Sequence, residues 1–231
     1  IVLGIETATL QVGCALGGHE GLLASYHAAH GRRHAEMLVP AIEFISTSVG
    51  IGLEEVSVVA VDVGPGLFTG LRVGIATAKS IAQGLRVPMI GLSSLDLLAH
   101  QVSRSPRLIA AVIDARRNEV YWALYRHVPG GVQRITDYSL GSIHDVVNEL
   151  VARGEDVLMV GDGAVRYAAA LEEVLPFAEI GGVAHAYPSA TDLVELAHPR
   201  ALREEFVQPW ELEPLYLRKS DAEINWERRG A

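Results

Sequence analysis

A short apolar run that ends in an acid occurs twice, at residues 2–6 (closing on Glu6) and 108–114 (closing on Asp114). Each begins a similar succession of elements. After the first come a turn at 7–10, a run at 11–16, a Gly-rich hairpin at 17–21 and a third run at 22–27. Short apolar runs bounded by Gly and polar clusters read as strands. The second copy gives a strand at 108–114, a turn at 115–118 and a strand at 119–125. Sliding Ile5-Glu6 onto Ile113-Asp114 without gaps brings Val12 onto Val120, Ala15 onto Ala123 and Leu16 onto Leu124. The strand and Gly turn at 58–64 have a counterpart at 157–163. The same order in both halves predicts an internal duplication. Strands mixed with helices in each half predict α/β layers. A Ser/Arg/Pro stretch at 101–106 marks the boundary between the halves.

The helices of the first half follow from spacing. Met37, Leu38, Ala41, Ile42 and Ile45 form one stripe of an amphipathic helix. Pro40 sits inside the stripe, so this helix is expected to start late or bend there. A buried strand at 56–63 stops at Gly64-Pro65-Gly66. Thr69 is expected to cap the next helix, which runs to about Gly84. A strand at 87–92 follows, then a helix capped by Ser93 or Ser94 and ending near His100. Near the C-terminus, 187–202 reads as a helix interrupted by Pro199, and Pro209-Trp210 with Pro214-Leu215-Tyr216-Leu217 as an extended closing segment.

Charge narrows the function classes. The 231 residues carry 19 Lys+Arg against 28 Asp+Glu, a net charge of 19 − 28 = −9. That excess repels phosphate backbones and argues against a surface given over to nucleic acid or anionic membrane. Cys14 is the single cysteine, which excludes an intramolecular disulfide and a Cys-rich zinc site and points to a reducing compartment. The first residues lack the pattern of a secretory leader, and no apolar run approaches the roughly 20 residues of a membrane helix. A cytoplasmic protein is expected.

The stretch Gly64-Pro65-Gly66-Leu67-Phe68-Thr69-Gly70-Leu71-Arg72-Val73-Gly74 carries the strongest local signal. It is not a Walker A loop: five residues separate Gly64 from Gly70, and Leu71 stands where the phosphate-binding Lys belongs. It also misses the dinucleotide Gly-x-Gly-x-x-Gly by one residue. Gly70, Gly74, Ala78 and Ala82 instead recur every four residues as a strip poor in side chains. Such a strip permits close helix packing, inside its own lobe or against a partner. A Gly turn before a helix N-terminus also leaves an anion site open as a third reading. Gly74→Leu separates the first two: it breaks a partner contact in a folded chain, or it unfolds the chain.

Other clusters are thinner. His27, His30 and His34 with Glu36 have spacings of three and four, but Gly31 and two arginines interrupt them, so loop histidines are favoured over a metal site. There is no His-Glu-x-x-His. Ser93, Ser94 and Asp96 suit a helix cap better than a nucleophile. Arg116-Arg117 could pair with phosphate or carboxylate, or simply be a solvated turn; Arg32-Arg33 could steer a partner or RNA, or be a solvated loop. Tyr121, Trp122 and Tyr125 alternate along a strand and read as core.

A three-strand meander followed by strand–helix units resembles the RNase H-like arrangement, and two facing copies resemble the actin/Hsp70/sugar-kinase (ASKHA) ATPases. An acid on each first strand, as at Glu6 and Asp114, fits that plan. More specifically, Ile5-Glu6-Thr7-Ala8-Thr9, Arg33-His34-Ala35-Glu36-x-Leu38-x-Pro40, Gly64-Pro65-Gly66-x-Phe68-Thr69-Gly70-x-Arg72-x-Gly74 and Pro214-Leu215-Tyr216-Leu217-Arg218 together resemble the TsaB (YeaZ) family. The resemblance covers nearly the whole chain.

It implies two RNase H-like lobes, at 1–103 and 104–220, with the closing segment expected to pack back on the first lobe and a frayed tail at 221–231. It implies a non-catalytic relative of TsaD that acts with TsaD and the ATPase TsaE in forming N6-threonylcarbamoyladenosine (t6A) at position 37 of tRNAs reading ANN codons. The docking residues it points to are Arg33, His34, Met37, Leu38, Ala41 and Ile45 on one helix, and Thr69, Gly70, Arg72, Val73, Gly74 and Thr77 on the next. The same surface is expected to make a homodimer when TsaD is absent. Glu6, Thr7, Gly64 and Gly66 are the residues left for a weak nucleotide or anion site. No cofactor or metal is expected in this chain; ATP, threonylcarbamoyl-adenylate and metal belong to the partners, and tRNA is met only through the complex. The family also carries an M22 peptidase label. Ser94 and Leu98 stand where the TsaD-type metal histidines fall, and Leu98 has no lone pair to offer. The competing readings are a stand-alone actin-like ATPase or kinase, an M22-type metallopeptidase and a direct tRNA-binding module.

Overall fold

The structure is a computed structural model and describes residues 1–29 and 33–218. His30 and Arg32, and the tail at 221–231, lie outside the described residues. The first half holds β1 (Val2–Glu6), β2 (Val12–Gly18), β3 (Gly21–Ala28), α1 (His34–Val49), β4 (Val58–Gly64), α2 (Phe68–Leu85), β5 (Met89–Ser93) and α3 (Ser94–Gln101). The second holds β6 (Leu108–Arg116), β7 (Glu119–Val128), β8 (Gly131–Arg134), β9 (Ser139–Ser142), α4 (Ile143–Arg153), β10 (Val157–Val160), α5 (Asp162–Arg166), α6 (Ala168–Val174), β11 (Ala178–Ile180) and α7 (Ala190–Leu202).

The first sheet runs β3-β2-β1-β4-β5 and the second β11-β10-β6-β7-β8, with β9 also on β7. Read from its far edge, the second order repeats the first. In both, an antiparallel meander joins parallel strands at its first member. This is the two-lobed ASKHA arrangement.

The repeat is not letter for letter. Ile5 pairs with Cys14, whereas Ile113 pairs with Tyr121 rather than Trp122. The second hairpin has slipped by one residue relative to the gapless match. β6 runs past Asp114 to Arg116, with a register shift between them, and Arg116, Arg117 and Asn118 all take positive φ to close a tight turn. Because strand side chains alternate, one residue of slip exchanges faces. Val112 and Trp122 therefore share the outer core of the second lobe, while Ile113 and Tyr121 face α3.

Three helix boundaries correct the sequence reading. α1 starts at His34 and passes through Pro40 without a late start. Pro40 is exposed, so the bond it forfeits lies on the wet side, while buried Leu38, Ala41, Ile42 and Ile45 hold the helix to the sheet. α7 likewise runs through exposed Pro199; it begins at Ala190, after Pro188, with Ser189 accepting from the Thr191 N–H at 3.1 Å. Thr69 does not cap α2, which opens from Leu67 with no side-chain cap. Ser93 caps α3 as expected, accepting from the Leu95 N–H at 3.2 Å.

α3 joins the lobes: Leu97 lies in a core cluster of the first sheet, Leu95 and Leu98 in one of the second. Its Asp96 accepts hydrogen bonds from the Tyr125 and Tyr138 hydroxyls, both at 2.8 Å. The division at 103/104 needs amendment for the last elements. α7 covers the first sheet, with Ala190, Leu193, Val194 and Ala197 packed on Val2, Ala15 and Ala60. Val207 then pairs with Met89 on β5, and the Leu215 N–H donates to Val63 at 2.7 Å.

The small-residue strip is internal. Ala78 and Ala82 are fully buried, and a Cβ at Gly70 or Gly74 would overlap the Thr7 carbonyl or hydroxyl oxygen. Gly74→Leu is therefore expected to destabilise the lobe by at least the roughly 1–3 kcal/mol typical of overpacking. Even Gly74→Ala is expected to lower Tm in a thermal melt monitored by circular dichroism; an unchanged Tm for both would contradict this packing.

Candidate docking face and interlobe cleft

The C-terminal ends of β1 and β4 lie side by side, because Ile5 pairs with Val61 in a parallel register. The next residues, Glu6 and Asp62, are fully buried there. One oxygen of each is used locally: Glu6 accepts from the Ala8 N–H at 2.8 Å, and Asp62 from the Gly64 N–H and the Ser94 hydroxyl, each at 2.7 Å. Glu6 Oε2 and Asp62 Oδ2 have no partner. Burial, and next the Asp62 charge, holds the Glu6 carboxyl well above the usual range. Burial also pushes Asp62 up to about 7.

The loop after β1 packs against the first turn of α2. The Leu67 N–H donates to Ala8 O at 2.6 Å, and the Thr7 hydroxyl donates to Gly70 O at 2.9 Å. A Cβ at Gly66 would overlap the Ala8 carbonyl, so this turn is pressed against the loop. Glu6, Thr7, Gly64 and Gly66 are thus brought together beside the two buried carboxyls. In the second lobe Asp114 pairs with Arg116 at 3.0 Å and Arg166 at 2.6 Å, and its N–H donates to Asp162 Oδ1 at 2.9 Å. Burial pushes Asp162 up to about 6.

The other candidates scatter. His34 is buried with Nε2 on Thr9 O at 2.8 Å, while His27 Nε2 accepts from the Ala190 N–H at 3.0 Å. Each is held by backbone in a different place. Ser94 donates to Asp62, and Leu98 is buried in the inter-lobe core.

The twelve residues expected on a docking face divide evenly. His34, Leu38, Ala41, Ile45, Gly70 and Gly74 are buried in their own lobe, so they position the face rather than form it. Arg33, Met37, Thr69, Arg72, Val73 and Thr77 reach the surface, and the Arg72 guanidinium lies 4.0 Å over the exposed Phe68 ring. Between α1 and α2 runs a mainly apolar groove of about 650 Å³, lined by Val39, Ile42, Ser46, Leu53, Ala76, Thr77, Ser80 and Ile81. Val39 is 57% exposed on its rim. Most of these residues lie outside the buried stripe, which marks what the lobe covers for itself. The available signal was apolar Val39 standing off that stripe.

The family described as "TsaD: tRNA N6-adenosine threonylcarbamoyltransferase" matches residues 24–226. The Escherichia coli tRNA threonylcarbamoyladenosine biosynthesis protein TsaB is 32% identical over 226 residues, covering 96% of each chain. The Bacillus subtilis protein of the same name is 28% identical over 226 residues, covering 97% of each. The chain belongs to the TsaB family. Among solved structures, YeaZ from Pseudomonas aeruginosa superposes with a TM-score of 0.78 at 28% identity, covering 94% of this chain and 99% of that one.

In this TsaB-family chain the cleft acids act on stability. Unfolded Asp62 titrates near 4 and folded Asp62 near 7, so the folded state holds the extra proton across that window. Stability contributed by this group therefore falls as pH rises from about 4 to about 7. Asp62→Asn keeps an acceptor for Gly64 and Ser94 but has no proton to lose. It is expected to flatten the decline in Tm between pH 5 and pH 8; parallel Tm profiles for the variant and the parent would contradict the assignment.

Proposed function

We propose that this chain is a non-catalytic scaffold subunit that docks on a TsaD-type transferase through the α1/α2 face and supports t6A formation at position 37 of tRNAs reading ANN codons. The observation that carries the reading is the apolar α1/α2 groove, open at the surface and rimmed by Val39. A specific interface needs about 800 Å² per partner, and two helices of 16 and 18 residues offer a face of that scale. Relatives named for tRNA threonylcarbamoyladenosine biosynthesis supply the pathway.

In this reading the transfer chemistry, ATP, threonylcarbamoyl-adenylate and its metal reside on the TsaD-type and TsaE-type partners. The same face self-associates when no partner is present. tRNA is met through the assembled complex, in keeping with the net charge of −9, and the complex works in the cytoplasm. No helix among the described residues is long and apolar enough to cross a membrane. The lack of a Walker-type loop, with Leu71 where its Lys belongs, supports this reading over a stand-alone ATPase.

The test is co-purification. Val39→Asp combined with Ala76→Arg places charge in the groove at two exposed positions and leaves the core untouched. The pair is expected to weaken binding to the host's TsaD-type protein by at least about 30-fold, as loss of an interface anchor does, with Tm unchanged. Cells carrying only this variant are expected to lose t6A in nucleoside mass spectrometry. Full binding and normal t6A would overturn the groove as the docking site.

A further inference from the structure

We propose that His100, Asp192 and Glu195 form a binding site for a single first-row divalent cation of the zinc class, clamping α3 to α7. The three come from two elements. His100 lies in the last turn of α3, and Asp192 and Glu195, three residues apart, share one face at the start of α7. One ligand atom from each lies within 4.8 Å of the other two. His100 Nε2 stands 3.3 Å from Glu195 Oε2. A tetrahedral ion with ligands at about 2.0–2.1 Å has ligand–ligand edges of about 3.3–3.4 Å, so that pair already spans one edge. One imidazole and two carboxylates suit zinc-class ions; magnesium and calcium take oxygen donors.

The surroundings favour a cation over bare carboxylates. Asp192 is half-buried beside the more exposed Glu195. Asp192 also borders a polar cavity of about 390 Å³ lined by Gln11, His27, Gln101, His185 and Tyr187. With three protein ligands, this cavity leaves a fourth position for water. His100 and Glu195 are 95 residues apart, so no local spacing in the sequence announces the set. Because α3 packs against both sheets and α7 covers the first, the ion would fasten the lobe-joining helix to the C-terminal one. The site is separate from the α1/α2 groove and does not rest on the docking proposal.

The test uses the full chain, free of affinity tag and stripped of metal. Titration with zinc chloride is followed by calorimetry, and cobalt chloride reports geometry by visible absorption. Expected are one ion per chain, a tetrahedral cobalt spectrum and a Tm raised by at least about 3 °C at saturation. His100→Ala and Glu195→Gln are each expected to weaken binding by about 100-fold or more, since even an outer-shell partner is worth 10–100-fold. Glu195 is largely exposed, so its variant tests the site without endangering the fold. His19→Ala, remote from the set, should bind as the parent does. Absence of one-to-one binding in the parent, or binding that survives Glu195→Gln and His100→Ala together, would overturn the site.

Discussion

The close approach of α2 to the turn after β1 is the contact on which the first lobe depends. Two glycines on one face of α2 let Thr7 sit against the helix backbone, and its hydroxyl reaches Gly70 O. The next residues are fixed in turn, Ala8 by the Leu67 N–H and Thr9 by His34 from α1. One short turn therefore sets the position of both helices. An added methyl at Gly70 or Gly74 would push α2 outward and take the groove with it. Residues that never reach the surface thus decide the shape of the surface. The Gly-Pro-Gly-x-Phe-Thr-Gly stretch is demanding for this reason, and a phosphate is not needed to explain its glycines.

The same turn changes what the cleft can do. Two carboxyls side by side at a sheet end could hold a metal–phosphate group if an open helix N-terminus faced them. Here the Leu67 N–H ahead of that helix is held by the Ala8 carbonyl, and both acids are sealed from water. Burial then makes protonation the cheaper state, and the pair becomes a pH-dependent part of the core. In the second lobe two arginines fold onto Asp114 and satisfy it from its own side.

Much of this was legible in the residues. Strand positions followed from short apolar runs, and the duplication from their repeated order. The Ser93 cap and the α1 stripe were read correctly because both signals are local. What failed was non-local. Pro40 and Pro199 looked like breaks, yet each falls on an exposed face where the missing bond is inexpensive and burial on the other side prevails. β8, β9 and α4 went unassigned, although Ser142 with Asp145 three residues on forms a capping box that announces α4. Of the twelve docking residues that the resemblance implies, six lie buried in their own lobe, because residues on one helix stripe pack on the sheet and only the rest reach the surface. His100 with Glu195 needed the fold, since only the packing of α7 on the first lobe brings them together.

The slip between the two hairpins shows why the lobes are not interchangeable. In structure Val112, not Ile113, takes the place of Ile5, because it pairs with Trp122 on the helix-covered face as Ile5 pairs with Cys14. The outcomes differ most in the helices that follow. α1 and α2 have 16 and 18 residues, whereas their counterparts are α4 with 11 and a helix broken into α5 and α6, with five and seven. A long groove needs two helices that stay straight and close over several turns. The Gly/Ala strip gives α2 that property by letting it sit flush on the sheet. Gly161 and Gly163 press α5 equally hard against Val112, but the helix breaks at Tyr167 before a second face can form. Among the described residues, the long helical groove therefore belongs to the first lobe.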